Sequence, residues 1–242
     1  MFDLTRPWPP GFSRRNGVLL IAGFALLIAA LYWLDRPLSI FGTGLPGPVR
    51  AGFGWLTQWG ESDWILYPSL VLLVAFLLLR FLPMPRLRAG FGQLAAVAGF
   101  VFLGVGLPGL ASTLLKRLIG RGRPEVYHPE LPLAFRWNLS DYDYQSFPSG
   151  HATTSFALAM VAAFLFPRLA LPALAVAVLI GFSRIVVGAH YLTDVTAGAV
   201  LGTLGAYAVR NAFASRNWLF TAKGGRIVRQ PFSAVAALFR RP

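Results

Sequence analysis

Six stretches of the chain are apolar over nearly the length that a helix needs to cross a lipid bilayer. A bilayer core of roughly 30 Å is spanned by about 20 helical residues. The six stretches are 17–34, 64–79, 89–115, 149–166, 169–187 and 191–209. Only 13% of the residues are charged, compared with about 25% in an average soluble domain. The sequence therefore predicts an all-α, polytopic integral membrane protein with six transmembrane helices.

The composition excludes several other classes of protein. Cysteine is absent, which excludes a disulfide scaffold, a thiolate metal site and a cysteine nucleophile. The 56% content of hydrophobic residues excludes intrinsic disorder. A net charge of +13 is typical of nucleic-acid-binding proteins, but in so apolar a chain it favours an anionic lipid surface. We therefore expect no nucleic-acid partner and no obligatory protein partner.

The distribution of Lys and Arg orients the predicted helices. Six spans place both termini on one side of the membrane, where 14 of the 22 cationic residues lie, and the other side holds 8. Because positively charged loops face the cytoplasm, the N-terminal segment 1–16 and the basic tail 211–242 are predicted to be cytoplasmic. The tail is expected to lie on the inner membrane surface, and residues 1–242 to form a single domain.

The opposite side of the membrane is predicted to carry two longer loops, 36–63 and 125–147. Near the end of the first loop, Ser62 or Asp63 is positioned to cap the second transmembrane helix. Three tryptophans in and beside this loop are expected to form an interfacial belt. These tryptophans are Trp55, Trp59 and Trp64.

Three polar segments lie on this outer side, and the first is a cluster of cations. Its members are Lys116, Arg117, Arg121, Arg123 and Arg136. Cations held by glycine-rich backbone at a helix end bind anions, and arginine offers a planar fork to phosphate oxygens. An ordinary juxtamembrane charge cluster is the alternative interpretation of this segment by itself.

The second polar segment, 148–151, has the sequence Pro-Ser-Gly-His and precedes an apolar stretch. Ser149 is a typical N-cap, and the free N–H groups at a helix start attract anionic oxygen. His151 then stands in the first turn of the helix, beside that anion. A capping sequence with an incidental interfacial histidine is the alternative.

The third segment contains Ser183, Arg184, His190 and Asp194. Arg184 falls within the outer end of the fifth span, where an unpaired charge is costly and a bound anion would compensate it. His190 and Asp194 are four residues apart, which predicts one helical face. A carboxylate that accepts one ring N–H of a histidine leaves the other ring nitrogen free for nucleophilic attack. A purely structural His–Asp contact is the alternative.

Together, the three segments resemble the signature motifs of the type 2 phosphatidic acid phosphatase superfamily. Those motifs are Lys-x6-Arg-Pro, Pro-Ser-Gly-His and Ser-Arg-x5-His-x3-Asp, and the region 111–198 matches every defined position in order and spacing. The matching residues are Lys116, Arg123, Pro124, Pro148, Ser149, Gly150, His151, Ser183, Arg184, His190 and Asp194.

The resemblance implies a lipid phosphatase that needs neither a metal ion nor another cofactor. It implies that His190 attacks phosphorus to form a phosphohistidine, that Asp194 orients His190, and that His151 protonates the leaving oxygen. The residues implied to hold the phosphoryl oxygens are Lys116, Arg123, Ser149, Gly150 and Arg184.

Four polar residues outside the motifs receive weaker predictions. Asp141 and Asp143 resemble a carboxylate pair for a metal, but no further ligands accompany them. They are therefore predicted to lie in a solvated loop or to balance the basic cluster. Arg121 is expected to make a secondary phosphate contact, and His128 is given no role.

The sequence leaves the phosphoryl acceptor and the substrate open. Transfer to a second lipid instead of water would make the protein a lipid phosphotransferase. A transporter is disfavoured because the spans hold almost no charge away from their ends. Phosphatidylglycerophosphate, undecaprenyl diphosphate, phosphatidic acid and a lipid A phosphate all remain candidate substrates. We expect a multi-pass protein of a bacterial-type inner membrane, with its active site at the extracytoplasmic face, toward the periplasm.

Overall fold

The computed structural model describes residues 3–12, 16–81, 85–126, 134–137 and 140–239. These residues form eight α-helices and a two-stranded antiparallel hairpin. The helices are α1 (Gly17–Thr43), α2 (Gly47–Gln58), α3 (Asp63–Leu79), α4 (Pro85–Ile119), α5 (Gly150–Leu165), α6 (Ala170–Val186), α7 (Leu192–Ser215) and α8 (Ser233–Leu238), and the strands are β1 (Phe220–Lys223) and β2 (Arg226–Arg229). The fold is mostly helical, as predicted, but the hairpin departs from the all-α expectation.

By length and composition, five segments of the described chain are apolar enough to cross a membrane. They are Gly17–Thr43, Gly47–Leu79, Leu87–Ile119, Pro167–Val186 and Leu192–Ser215. The predicted fourth span, 149–166, corresponds to α5, which is apolar but has only 16 residues. That α5 crosses the membrane, and with it the count of six spans, therefore stays a prediction.

Helix α5 lies in the middle of the bundle and packs against α4, α6 and α7. Its backbone approaches α7 at Gly198 and Gly202, where an added Cβ atom would collide with the carbonyl oxygens of Ser149 and Thr153. Small residues permit this close helix contact, as predicted for span six. The contact brings the N-terminal ends of α5 and α7 side by side.

Helix α1 continues beyond its predicted end at residue 34 and runs through Pro37 to Thr43. The prediction that a loop begins at residue 36 is therefore wrong. Proline is tolerated inside membrane helices where neighbouring elements support the backbone, and this part of α1 packs against α6 and α7. Its buried residues include Asp35 and Gly42. Tertiary contacts thus override the local helix-breaking signal.

The predicted loop 36–63 also contains α2, which begins after Pro46. Ser62 occupies the N-cap position of α3, but neither its side chain nor any other makes the expected capping hydrogen bond there. The three tryptophans cluster at this level, with ring centroids 6.0 Å apart for Trp55 and Trp59 and 5.7 Å apart for Trp59 and Trp64. All three remain largely exposed.

The described part of the basic tail packs onto the bundle, and its location on the inner membrane surface stays a prediction. Phe220 of β1 is 1% exposed and packs edge-on against Phe100 of α4 at 4.8 Å. The described N-terminal segment is attached at the same end, because buried Arg210 donates hydrogen bonds to the carbonyl oxygens of Leu4, Arg6 and Pro7.

The three polar segments meet at the other end of the bundle. The last turns of α4 and α6 carry Lys116 and Arg184, and the first turns of α5 and α7 carry His151 and Asp194. The predicted site and the described terminal segments therefore lie at opposite ends of the helices.

Candidate active site

Lys116 reaches from α4 to the beginning of α5. A Cβ atom placed on Gly150 would lie 3.2 Å from Nζ of Lys116, so the ammonium group lies directly beside the first residue of α5. Ser149 is the N-cap of α5, as predicted, and its Oγ accepts a hydrogen bond of 3.4 Å from the backbone N–H of Ala152. A cation and the positive end of a helix dipole thus face the same point.

Arg123 is fixed from several sides. Its guanidinium donates to the carbonyl oxygens of Tyr142, Ala189 and Gln145 at 3.0, 2.9 and 3.3 Å, and it stacks over the ring of Tyr142 at 3.8 Å. Burial lowers the pKa of Arg123, but a guanidinium remains charged at neutral pH. These bonds use three of its five N–H donors, which leaves two for an anion.

Arg184 is 7% exposed and is positioned by α2. Its Nη1 donates a 2.8 Å hydrogen bond to Oγ1 of Thr57. Its Nε is buried and has no hydrogen-bond partner in the described part of the chain. A buried donor without a partner is costly, and an anionic oxygen would satisfy it.

His190 is 2% exposed and lies just before α7. Its Nδ1 is 3.6 Å from Oδ2 of Asp194 and 3.5 Å from Oγ of Ser146. The predicted shared helical face is wrong, because α7 begins at Leu192. The two groups still approach because Asp194 points back from the first turn, where its Oδ2 accepts the backbone N–H of Tyr191 at 2.9 Å.

Burial lowers the pKa of His190 to about 4, although the contact with Asp194 acts in the opposite direction. The positive charges of Arg123 and Arg184 add to the lowering. The imidazole is therefore neutral at neutral pH. With Nδ1 directed at Asp194 and Ser146, the opposite nitrogen, Nε2, keeps its lone pair available.

Asp194 is completely buried, and two side chains hold it in addition to the Tyr191 N–H and the histidine. Ser146 Oγ donates to its Oδ2 at 2.5 Å, and Arg121 Nη1 donates to its Oδ1 at 2.6 Å. Ser146 is a site residue that sequence reasoning missed, because an isolated serine in a loop carries no recognisable signal.

Asp35 of α1 completes this arrangement and was also missed. Its Oδ2 accepts a hydrogen bond of 2.8 Å from Arg121 Nη2 and one of 2.6 Å from Thr193 Oγ1, and its Oδ1 accepts the backbone N–H of Thr193 at 2.9 Å. Asp35 is 3% exposed. A lone carboxylate at the end of an apolar stretch is the signal that would have found it, because membrane helices rarely carry unpaired charge.

Arg121 is therefore the ion-pair partner of two carboxylates, and its secondary phosphate contact stays a prediction. Burial acts to lower the pKa of Arg121, but the charges of Asp194 and Asp35 outweigh burial and raise it. We name Asp35, Arg121, Thr193 and Asp194 the ion network.

The described cluster has more positive than negative charge. Four cations, Lys116, Arg121, Arg123 and Arg184, converge with two buried carboxylates, Asp35 and Asp194. Among these six groups two positive charges are left over, which would balance the charge of a phosphate monoester dianion. Outside this set, Glu61 acts on Arg184, and Glu125 and Asp143 act on Arg123.

A cavity of about 430 Å³ opens beside this cluster between α3, α4 and α5. His151, which is half-buried, lines it together with Gly150, Thr113, Glu61 and Asp63. His151 also interacts electrostatically with His190. Of the two motif histidines, His151 lines this cavity, and His190 lies close enough to it for their charges to interact.

The remaining polar residues lie at the edge of the site. Asp141 is 3.9 Å from Arg136, which fits a counter-charge to the basic cluster. In the described ranges, no three His, Asp or Glu side chains form a group suited to a metal ion. His128 lies outside the described residues.

A protonation measurement tests the environment of His190. In a His128→Ala/His151→Ala variant, His190 is the last of the three histidines, and its imidazole NMR signals should titrate near pH 4. A solvent-exposed histidine titrates at about 6.5. Because the folded-state pKa is depressed, His190 contributes stability above the unfolded pKa that is lost as the pH falls toward 4. A midpoint near 6.5 would contradict the buried, neutral state.

The sequence is similar to those of known phosphatases. The family model described as PAP2 superfamily matches residues 97–218. A lipid A 1-phosphatase of Rhizobium johnstonii is 33% identical over 213 residues, which cover 83% of this chain and 83% of that protein. A decaprenylphosphoryl-5-phosphoribose phosphatase of Mycobacterium tuberculosis is 36% identical over 100 residues, covering 39% of this chain and 50% of that protein.

A solved structure shares the fold. The crystal structure of the transmembrane PAP2 type phosphatidylglycerolphosphate phosphatase from Bacillus subtilis aligns with a TM-score of 0.53 at 23% sequence identity, covering 82% of this chain and 96% of that one. The matched family model contains all three motif segments. On the strength of that match and of the relative that is 33% identical across most of its length, the chain belongs to the PAP2 superfamily.

Proposed function

We propose that this membrane protein hydrolyses the terminal phosphate of a lipid phosphate or lipid diphosphate, without a metal ion, through a phosphohistidine on His190. The observation that carries the proposal is the surplus of two positive charges around a buried, neutral histidine. Phosphoryl transfer depends mainly on positioning and on stabilising charge at the phosphoryl oxygens. Here the cationic side chains supply the positive charge that a divalent metal ion supplies in many other phosphatases.

Each part of the cluster has a chemical task in this proposal. The phosphate oxygens accept hydrogen bonds from Lys116, from the free donors of Arg123 and from Nε of Arg184. The helix start at Ser149 and Gly150 supplies further N–H groups. A bound phosphate would thus give hydrogen-bond acceptors both to the buried Nε of Arg184 and to the two remaining N–H groups of Arg123.

The proposed reaction has two steps. With the phosphate dianion bound beside it, His151 is protonated. Nε2 of His190 attacks phosphorus, the bond between phosphorus and the lipid oxygen breaks, and the imidazolium of His151 transfers its proton to that oxygen. Asp194 stabilises the positive charge that develops on the imidazole of His190. Water next attacks the phosphorus of the phosphohistidine, neutral His151 takes a proton from this water, and the bond between phosphorus and Nε2 breaks. Inorganic phosphate leaves, and neutral His190 and protonated His151 are regenerated.

The acceptor distinguishes hydrolysis from the alternative of lipid phosphotransfer, in which a lipid hydroxyl replaces water in the second step. Hydrolysis is favoured because the relative that matches most of the chain is named as a phosphatase. That similarity makes lipid A the first substrate to test, followed by phosphatidic acid, phosphatidylglycerophosphate and undecaprenyl diphosphate.

Substitution of the two histidines tests the reaction. His190→Ala and His151→Ala should each lower phosphate release from the best lipid by about a thousandfold or more, because each removes an essential group. The matched control, His128→Ala, should stay close to wild type. Turnover by His190→Ala above about a tenth of wild type, a difference of only about 1.4 kcal/mol, would exclude His190 as the nucleophile.

Chelation tests the metal independence of the reaction. Phosphate release by the wild-type protein should persist in EDTA. Loss of activity in EDTA that is restored by adding Mg²⁺ would contradict the metal-independent reaction.

A second test concerns Asp35, a positioning residue that acts through Arg121 and Asp194. Asp35→Asn should lower kcat by about tenfold or more while KM changes little, because the group that orients His190 is displaced but the phosphate ligands remain. Asp3→Asn, an exposed aspartate at the other end of the bundle, is the matched control. An unchanged kcat in a folded, monodisperse Asp35→Asn protein would show that the ion network does not support the reaction.

We also propose that the active site faces the periplasm and both termini the cytoplasm. The charge bias of the termini supports this orientation. The chain has no native cysteine, so single cysteines report sidedness directly. Ser140→Cys, near the site, should react with a membrane-impermeant reagent in intact spheroplasts, whereas Ala222→Cys in β1 should react only after permeabilisation. The reverse pattern would move the site to the cytoplasmic leaflet.

A further inference from the structure

An apolar groove of about 590 Å³ lies between α2, α3, α5 and α6. Its sides are formed by the tryptophan cluster and by aliphatic residues of α6, and its floor by small residues of α5 and α6. Lining residues include Trp55, Trp59, Trp64, Ser155, Ala173 and Ile180. We call it the tryptophan groove.

The tryptophan groove begins next to the candidate active site. Ser155 follows His151 by one helical turn on α5, and Ile180 precedes Arg184 by one turn on α6, so each pair shares a helical face. Gly60 packs tightly between the two regions, since a Cβ atom placed there would lie 2.7 Å from Cγ2 of Ile180 and 2.9 Å from Cδ2 of His151.

The tryptophan groove extends along α6 toward Leu169, which also lines it. From Ile180 to Leu169 the helical rise corresponds to about 16 Å. An apolar groove of this length, which ends at Ile180 one helical turn from Arg184, has the dimensions and polarity to hold a hydrocarbon chain attached to a phosphate-bearing head group.

One polar atom interrupts this apolar lining. Oγ of Ser155 is buried and has no hydrogen-bond partner among the described residues. An unsatisfied buried hydroxyl costs free energy, so its position in the wall of an apolar groove requires an explanation. In the rotamer present, Oγ is shielded from the groove. Rotation about the Cα–Cβ bond to another staggered position would turn the hydroxyl toward the groove.

We propose that the tryptophan groove binds one acyl chain of the substrate, and that Ser155 donates a hydrogen bond to the carbonyl oxygen of the ester or amide that attaches this chain. The proposal rests on the proposed lipid phosphatase activity and narrows its substrate class. Ser155 lies about one helical turn, or about 5 Å, from the level of His151, which leaves a few bonds between the phosphorus and the carbonyl. Polyprenyl phosphates have no carbonyl and cannot make this contact.

The Ser155→Ala variant tests the carbonyl contact. Loss of one hydrogen bond should lower kcat/KM for a diacyl phosphatidic acid by about five- to tenfold. The same variant should hydrolyse a polyprenyl phosphate and a soluble aryl phosphate as fast as wild type. An equal loss on all three substrates, or no loss on any, would overturn the role of Ser155.

Filling the groove tests the chain site separately. Ala173→Phe places an aromatic ring in the groove, whereas Ala175→Phe, two residues away, adds the same ring at an exposed position outside it. In mixed micelles, Ala173→Phe should raise KM for long-chain phosphatidic acid by about tenfold relative to a short-chain analogue, and Ala175→Phe should leave that ratio unchanged. Equal effects of the two variants would mean that the groove holds bulk lipid only.

The controls separate failure of this proposal from failure of the proposed function. If the wild-type protein releases phosphate from acyl lipids and the variants do so without the expected selectivity, the groove assignment is wrong and the phosphatase stands. If the wild-type protein hydrolyses polyprenyl phosphates in strong preference to acyl lipids, the substrate class is wrong. Absence of phosphate release from every lipid would overturn the proposed function itself.

Discussion

The ion network of Asp35, Arg121, Thr193 and Asp194 is the interaction on which the candidate site depends. It connects α1, the segment after α4 and the start of α7, which are far apart in the chain, through hydrogen bonds of 2.6–2.9 Å. A buried carboxylate without a partner is strongly destabilising, so Asp194 can occupy the position behind His190 only if Arg121 neutralises it. Asp35 in turn fixes Arg121 through a second ion pair of 2.8 Å.

This pairing explains the division of labour among the cations. The charge of Arg121 is balanced by two carboxylates, whereas Lys116, Arg123 and Arg184 have no ion pair in the described part of the chain. The helix ends gather these groups at one end of the bundle. In the proposed reaction a head group binds there, while its chain stays in apolar surroundings. The tryptophan groove, beginning one turn from His151 and Arg184, supplies such surroundings within the protein.

Much of the fold follows from hydrophobic length. The apolar stretches predicted α3, α4, α6 and α7, because a span-length apolar segment has to satisfy its backbone hydrogen bonds internally and so becomes helical. The end of α1 and the presence of α2 were missed, since Pro37 and the Gly- and Pro-rich residues after it favour a loop locally. Burial against α6 and α7 decides that part of α1. The hairpin of the tail was not predicted from the sequence for a related reason: its strands are stabilised by contacts with α4 and the N-terminal segment.

For the site, the sequence by itself determined which residues are brought together, because the three motifs have fixed spacing and lie at helix ends that topology places at the same face. The N-cap role of Ser149 was likewise readable, since capping is a local interaction. Only the tertiary structure decided what surrounds them. The cluster is joined from elsewhere in the chain by Asp35, Ser146 and Thr57, and the structure adds the ion pairs of Arg121 with Asp35 and Asp194. Such assignments depend on long-range distances between side chains, which spacing along the chain does not encode.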